Sequence, residues 1–130
     1  MCMVPAAAII NMHVAVIGAS DKPERFSYQA VALLKQKGHT VFPVHQRIKA
    51  IEGQMVYASI KDISQAIDTV TLYVAGDISS QLAGDILAAK PRRIIFNPGA
   101  ENPDLASKAQ AQGIQTVEDC TLVMLRAGQF

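Results

Sequence analysis

The stretch VAVIGASDKPER, residues 14–25, decides how this chain folds. A short apolar, β-branched run stops abruptly at Gly18, and a serine and charged residues follow at once. Such a run suits a strand covered on both faces, the usual state of a strand inside a parallel sheet. Beyond it, Phe26, Ala30, Leu33 and Leu34 recur at i, i+4, i+7 and i+8, the stripe of an amphipathic helix. The first unit is therefore a strand (residues 13–18), a tight glycine turn and a helix that Gly38 closes.

The same alternation continues along the chain. TVFPV (40–44) reads as a second strand, with Pro43 near its end where a missing N–H is tolerated. Residues 45–68 are less regular; a short extended piece near 55–57 and a helical turn are expected there. TVTLYV (69–74) is a third strand, followed by a helix carrying Ile78, Leu82 and Ile86 four apart. RRIIFN (92–97) is a fourth, and Arg92 and Arg93 at its start are expected in solvent. Asn102 and Pro103 supply an N-cap and first helical position, and Gly113 a C-cap. IQTVE (114–118) is a fifth strand, after which Asp119 is expected to cap a last helix bearing Leu122, Val123 and Leu125.

Five buried strands separated by helices imply an α/β fold. The expected form is a Rossmann-like, doubly wound, five-stranded parallel sheet in three layers. Residues 12–130 are expected to form one domain, and residues 1–11, broken by Pro5 and Asn11, an N-terminal arm or extension. At 130 residues the chain is too short for two ordinary domains. Its formal net charge of +1 gives no global attraction to nucleic acid or anionic membranes. Cys2 and Cys120 stand alone, which supports neither a disulfide framework nor a metal site. A cytoplasmic setting is the expectation.

In such sheets, ligands bind beyond the carboxyl ends of the strands, where strand order reverses. Chemistry is therefore expected in residues 18–25, 43–49, 74–77, 97–101 and 118–120. In the first of these loops Gly18 permits a close approach, Ser20 offers a hydroxyl, and Lys22 and Arg25 offer charge to a phosphate. The same residues also build a plain strand-to-helix connection. A single glycine is not the G-x-G-x-x-G of dinucleotide sites. The loop after the second strand, PVHQR (43–47), holds no carboxylate until Glu52, so nothing there suits the ribose hydroxyls of NAD. Arg47 and Lys49 suit instead a ribose bearing an extra phosphate, as in NADP or coenzyme A. At the fourth strand, Asn97, Gly99 and Ala100 offer either ligand contacts or ordinary turn chemistry. Cys120, beside Glu118 and Asp119, reads as structural, and none of His13, His39 and His45 has a neighbouring partner that marks it as a base.

Taken together, VAVIGAS with KPER, VFPV, GQMVYASIKDI (53–63), FNPGAEN (96–102) and VEDCTLVMLR (117–126) resemble the stand-alone CoA-binding proteins. That family is similar in fold to the CoA-binding domain of the succinyl-CoA synthetase alpha subunit. The resemblance implies that Gly18, Ala19, Ser20, Lys22, Pro23 and Arg25 hold the ADP phosphates of coenzyme A or an acyl-CoA. It implies that Pro43, Val44 and Arg47 flank the adenosine, with Val74, Asn97 and Gly99 as further contacts. Relatives often carry V-N-P-K/R after the second strand, where this chain has Val44, His45, Gln46 and Arg47. No catalysis comes with the resemblance, because the synthetase's phosphorylated histidine belongs to a separate domain. The expected function is non-catalytic binding of a small CoA ligand, with no nucleic acid or membrane partner and an oligomer allowed. The alternatives are an NADP-dependent reductase, another small nucleotide-cofactor enzyme, or an interaction protein with a vestigial nucleotide pocket.

Overall fold

The computed structural model describes residues 11–51 and 53–130. The expected N-terminal arm, apart from Asn11, lies outside the described residues, as do Cys2 and Glu52. A five-stranded parallel sheet is built from β1 (His13–Ile17), β2 (Thr40–Val44), β5 (Thr69–Leu72), β6 (Arg93–Phe96) and β7 (Gln115–Glu118). Its spatial order is β2-β1-β5-β6-β7. Between β2 and β5 the chain adds a two-stranded hairpin, β3 (Ala50–Ile51) and β4 (Gln54–Met55), and a 3₁₀ turn at Ile60–Asp62. Four helices complete the described chain: α1 (Phe26–Gln36), α2 (Gly76–Ala88), α3 (Pro103–Ala111) and α4 (Thr121–Arg126).

Strand alternation sorts the core into two halves. Val14 and Val16 face one side, with Val31 and Leu34 of α1 and Leu125 of α4. Ala15 and Ile17 face the other, with Ala83 and Ile86 of α2 and Leu105 and Ala109 of α3. Each wholly buried Leu or Ile, such as Leu34 or Ile86, contributes roughly 1.5–3 kcal/mol of burial. The layers are helix, sheet, helix, as the strand and helix periods predict.

Local signals in the sequence act as expected in several places. Gly38 takes φ +91° and ends α1, with the His39 N–H donating to the Leu34 carbonyl at 3.0 Å. The Asn102 side chain accepts the Leu105 N–H at 3.0 Å ahead of Pro103. Others differ. α4 starts one residue late: Cys120 is its N-cap, and Asp119 Oδ1 instead accepts the Cys120 N–H at 2.7 Å. β7 is an edge strand, partly exposed, so only four of the five strands are buried as expected.

Arg93 is a clear correction. It was expected in solvent with Arg92, yet it is buried at the start of β6. Its guanidinium lies 4.5 Å from the Phe130 ring centroid, and its Nε donates to Thr69 Oγ1 at 3.2 Å. Burial pushes its pKa down, as does the neighbouring Arg92 charge. Cation–π stacking replaces part of the lost hydration. Arg92 does remain exposed, paired with Asp68 at 2.9 Å.

Candidate functional site

In a sheet of this order, α1 leaves β1 toward one edge and α2 leaves β5 toward the other. The strand order therefore reverses between β1 and β5, and their carboxyl-end loops part to leave a crevice. Two hollows open there. The first, about 750 Å³, is lined by residues 18–22, 24–27 and 73–75 with His45, Ile48 and Ile78. The second, about 510 Å³, lies toward the loop after β2 and includes Val44, Arg47, Ile60, Lys61, Leu82 and Ile86 in its wall. Gly18, His45, Val74 and Ile78 line both, so the hollows adjoin.

Gly18 makes the close turn possible. It takes φ +88°, and a β-carbon there would stand 2.8 Å from Val74 Cγ1 and 3.1 Å from the Tyr73 carbonyl oxygen. The amides of Gly18 and Ala19 both donate to the Val44 carbonyl, at 3.0 and 3.2 Å. They tie the first loop to the second and are engaged within the fold.

Donors for an anion come from further along the loop. The Ser20 hydroxyl accepts the Lys22 N–H at 3.1 Å and keeps its own proton to donate. At the start of α1 the side chain of the N-cap residue Arg25 makes no capping hydrogen bond, and no acid occupies the first turn. The amides of Phe26, Ser27 and Tyr28 therefore have no capping partner among the described residues. Phe26 and Ser27 line the first hollow, which places these donors and the positive end of the helix dipole beside it.

Charge in this loop is balanced. Lys22 and Arg25 line the first hollow, but so do Asp21 and Glu24. An anion there is attracted by backbone N–H groups and by the two cations acting locally. The second hollow carries Arg47 and Lys61 against one acid, Asp85.

The expected site residues divide by position. Gly18, Ala19, Ser20, Lys22 and Arg25 line the first hollow; Val44 and Arg47 line the second; Val74 lines both. Pro23 is exposed and lines neither. Pro43 lies within β2, paired in register with Val16. Asn97 and Gly99 also line neither hollow. Asn97 is buried, its Nδ2 donating to Thr71 Oγ1 at 2.7 Å and to the Leu72 carbonyl at 2.8 Å. Its Oδ1 accepts the Thr121 N–H at 2.8 Å. These bonds occupy the side chain inside the protein. The Gly99 N–H is taken by the Glu101 carboxylate at 3.0 Å.

Residues with no motif of their own complete the walls. Ile78, the first of the three apolar residues spaced four apart on α2, is 45 % exposed, while Ser79, Ala83 and Ile86 carry that helix's buried face. Ile78, Leu82 and Ile86 together wall the second hollow. Lys61 reaches the same hollow from the 3₁₀ turn, a position that the irregular 45–68 segment concealed. Tyr73 lines the first hollow, but its hydroxyl is buried and has no hydrogen-bond partner among the described residues. Burial raises its pKa strongly, so it stays protonated.

A parallel sheet of this order with ligand-sized hollows at its reversal point defines a Rossmann-like α/β protein. The chain belongs to the CoA binding domain family, whose model matches residues 12–126. The acetate–CoA ligase (ADP-forming) II subunit alpha of Pyrococcus furiosus is 36% identical over 62 residues, 47% of this chain. The match spans only 14% of that subunit's length. The uncharacterized protein YneT of Bacillus subtilis is 23% identical over 117 residues, covering 90% of this chain and 87% of YneT. A crystal structure of an uncharacterized protein superimposes with a TM-score of 0.88 at 36% identity, covering 93% of this chain and 99% of that one. No described helix is long and apolar enough to cross a membrane.

Proposed function

We propose that this chain binds coenzyme A or an acyl-CoA and does not itself transform it. The observation that carries this reading is the pairing of two adjoining hollows at the sheet's reversal point. One offers uncapped helix N–H groups, Ser20, Lys22 and Arg25; the other offers an apolar wall rimmed by Arg47 and Lys61. A diphosphate suits the first. An adenine suits the wall of Val44, Ile78, Leu82 and Ile86, with Arg47 and Lys61 placed for the ribose phosphomonoester. Residues 12–130 act as one domain in this reading, with a cytoplasmic ligand pool.

Calorimetric titration with CoA tests it. Charge-assisted phosphate contacts and adenine packing lead us to expect micromolar binding, on the order of −8 kcal/mol. No heat and no thermal shift at millimolar CoA would remove the idea. NADPH also carries a phosphomonoester on its ribose, so fluorescence titration with NADPH is the control. Tight NADPH binding with none to CoA would favour a reductase instead.

A further inference from the structure

His45 stands where the two hollows meet and lines both. Its ring Nδ1 accepts two backbone N–H groups, from Arg47 at 3.0 Å and from Ile48 at 3.2 Å. Backbone amides can only donate, so Nδ1 carries no proton and the neutral ring holds its proton on Nε2. An acceptor reaching amides two and three residues ahead is the arrangement an Asn or Asp side chain makes in an Asx turn. Here an imidazole fills that place. The residue is anchored on its main chain too, its N–H donating to the Tyr57 carbonyl at 2.9 Å.

The two amides that His45 holds belong to residues serving different hollows. Arg47 lines the second and Ile48 the first. We infer that His45 is a positioning and specificity residue of this cleft. Its Nδ1 folds residues 45–48 so that Arg47 lines one of the two adjoining hollows and Ile48 the other, and its Nε2–H is the ring donor left for an acceptor oxygen of the ligand. The ligand contact rests on the CoA reading above; the folding of the loop rests on the bonds alone. We assign that acceptor to a phosphate or ribose oxygen, because His45 lines both the hollow read as the diphosphate's and the one read as the adenosine's.

The test uses the full chain with His45→Ala and His45→Asn. In the wild type, long-range ¹H–¹⁵N spectra at about pH 8 are expected to show the proton on Nε2 of His45. In His45→Ala the Arg47 and Ile48 amides lose exchange protection, and CoA affinity falls about tenfold, as expected for losing a loop anchor and a phosphate donor. In His45→Asn the amide oxygen reaches the same two N–H groups, so protection returns while affinity recovers only in part. A proton found on Nδ1, or unchanged Arg47 and Ile48 exchange in His45→Ala, overturns the inference. Full CoA affinity in His45→Asn overturns the Nε2 contact. If wild-type protein binds no CoA, that contact falls with the proposed function, while the tautomer and exchange data still judge the loop.

Discussion

Gly18 faces Val74 so closely that a β-carbon on the glycine would stand 2.8 Å from the valine Cγ1. Two separate penalties meet at this contact, the φ of +88° and the collision. Gly18→Ala is expected to lower stability by roughly 1–3 kcal/mol. Val74→Ala in the same chain should return the share owed to the valine Cγ1 and leave both the backbone share and the 3.1 Å approach to the Tyr73 carbonyl oxygen. Urea unfolding of the two single variants and the double variant measures this. A double variant no more stable than the sum of the singles predicts would show that the collision with the Val74 side chain plays no part.

Arg25 and Arg92 are both exposed arginines, at opposite ends of the sheet. Arg25 lines the first hollow, and Arg92 pairs with Asp68 away from both. Arg25→Ala should weaken CoA binding about tenfold, the loss of one charge-assisted phosphate contact, whereas Arg92→Ala should stay within about twofold. Calorimetry on both variants decides. Equal effects would discredit the placement of the diphosphate.

The acids of the first loop should oppose the ligand. Asp21 and Glu24 line the same hollow as Lys22 and Arg25. Asp21→Asn and Glu24→Gln are each expected to tighten CoA binding by about two- to fivefold at low salt, a gain that shrinks as salt screens the charges. Titrations at two ionic strengths supply the measurement. Weaker binding in both variants would mean that the acids organise the loop rather than repel the ligand.

Asp68 gives a pH prediction remote from the cleft. Its partial burial pushes its pKa up, but hydrogen bonds from Arg92 and Thr69, with the charges of Arg92 and Arg93, bring it below the usual 3.8. A lowered folded pKa stabilises the protein above the unfolded value, and that share disappears as pH falls through the folded one. The stability difference between wild type and Asp68→Asn should therefore shrink between about pH 6 and about pH 2. Denaturant unfolding across that range checks it; a difference that does not change with pH would contradict the assignment.

Much of the architecture is legible in the chain because period and punctuation agree. The run ending at Gly18, the stripe after Phe26, and the caps at Gly38, Asn102 and Gly113 are short-range signals, and short-range geometry realises them. What stayed hidden depends on distant neighbours. Four-residue spacing puts Ile78, Leu82 and Ile86 on one helix face, but not whether that face meets a core or a hollow; it meets both. Arg93 reads as solvated because the ring that covers it belongs to Phe130, at the far end of the sequence. Asn97 and Ser20 both sit in strand-end loops and look alike as hydrogen-bonding residues. Only the fold shows Asn97 bonded inward to Thr71 and Thr121, and Ser20 turned to the crevice. The acids at 21 and 24 were visible, but their position on the wall was not.

The Val44 carbonyl receives the amides of both Gly18 and Ala19, which joins the turns after β1 and β2 into one mechanical piece. All three partners are main-chain atoms, so no exchange of side chains in residues 45–49 removes the joint. Selection can therefore rewrite which molecule this rim prefers without dismantling the frame that presents it.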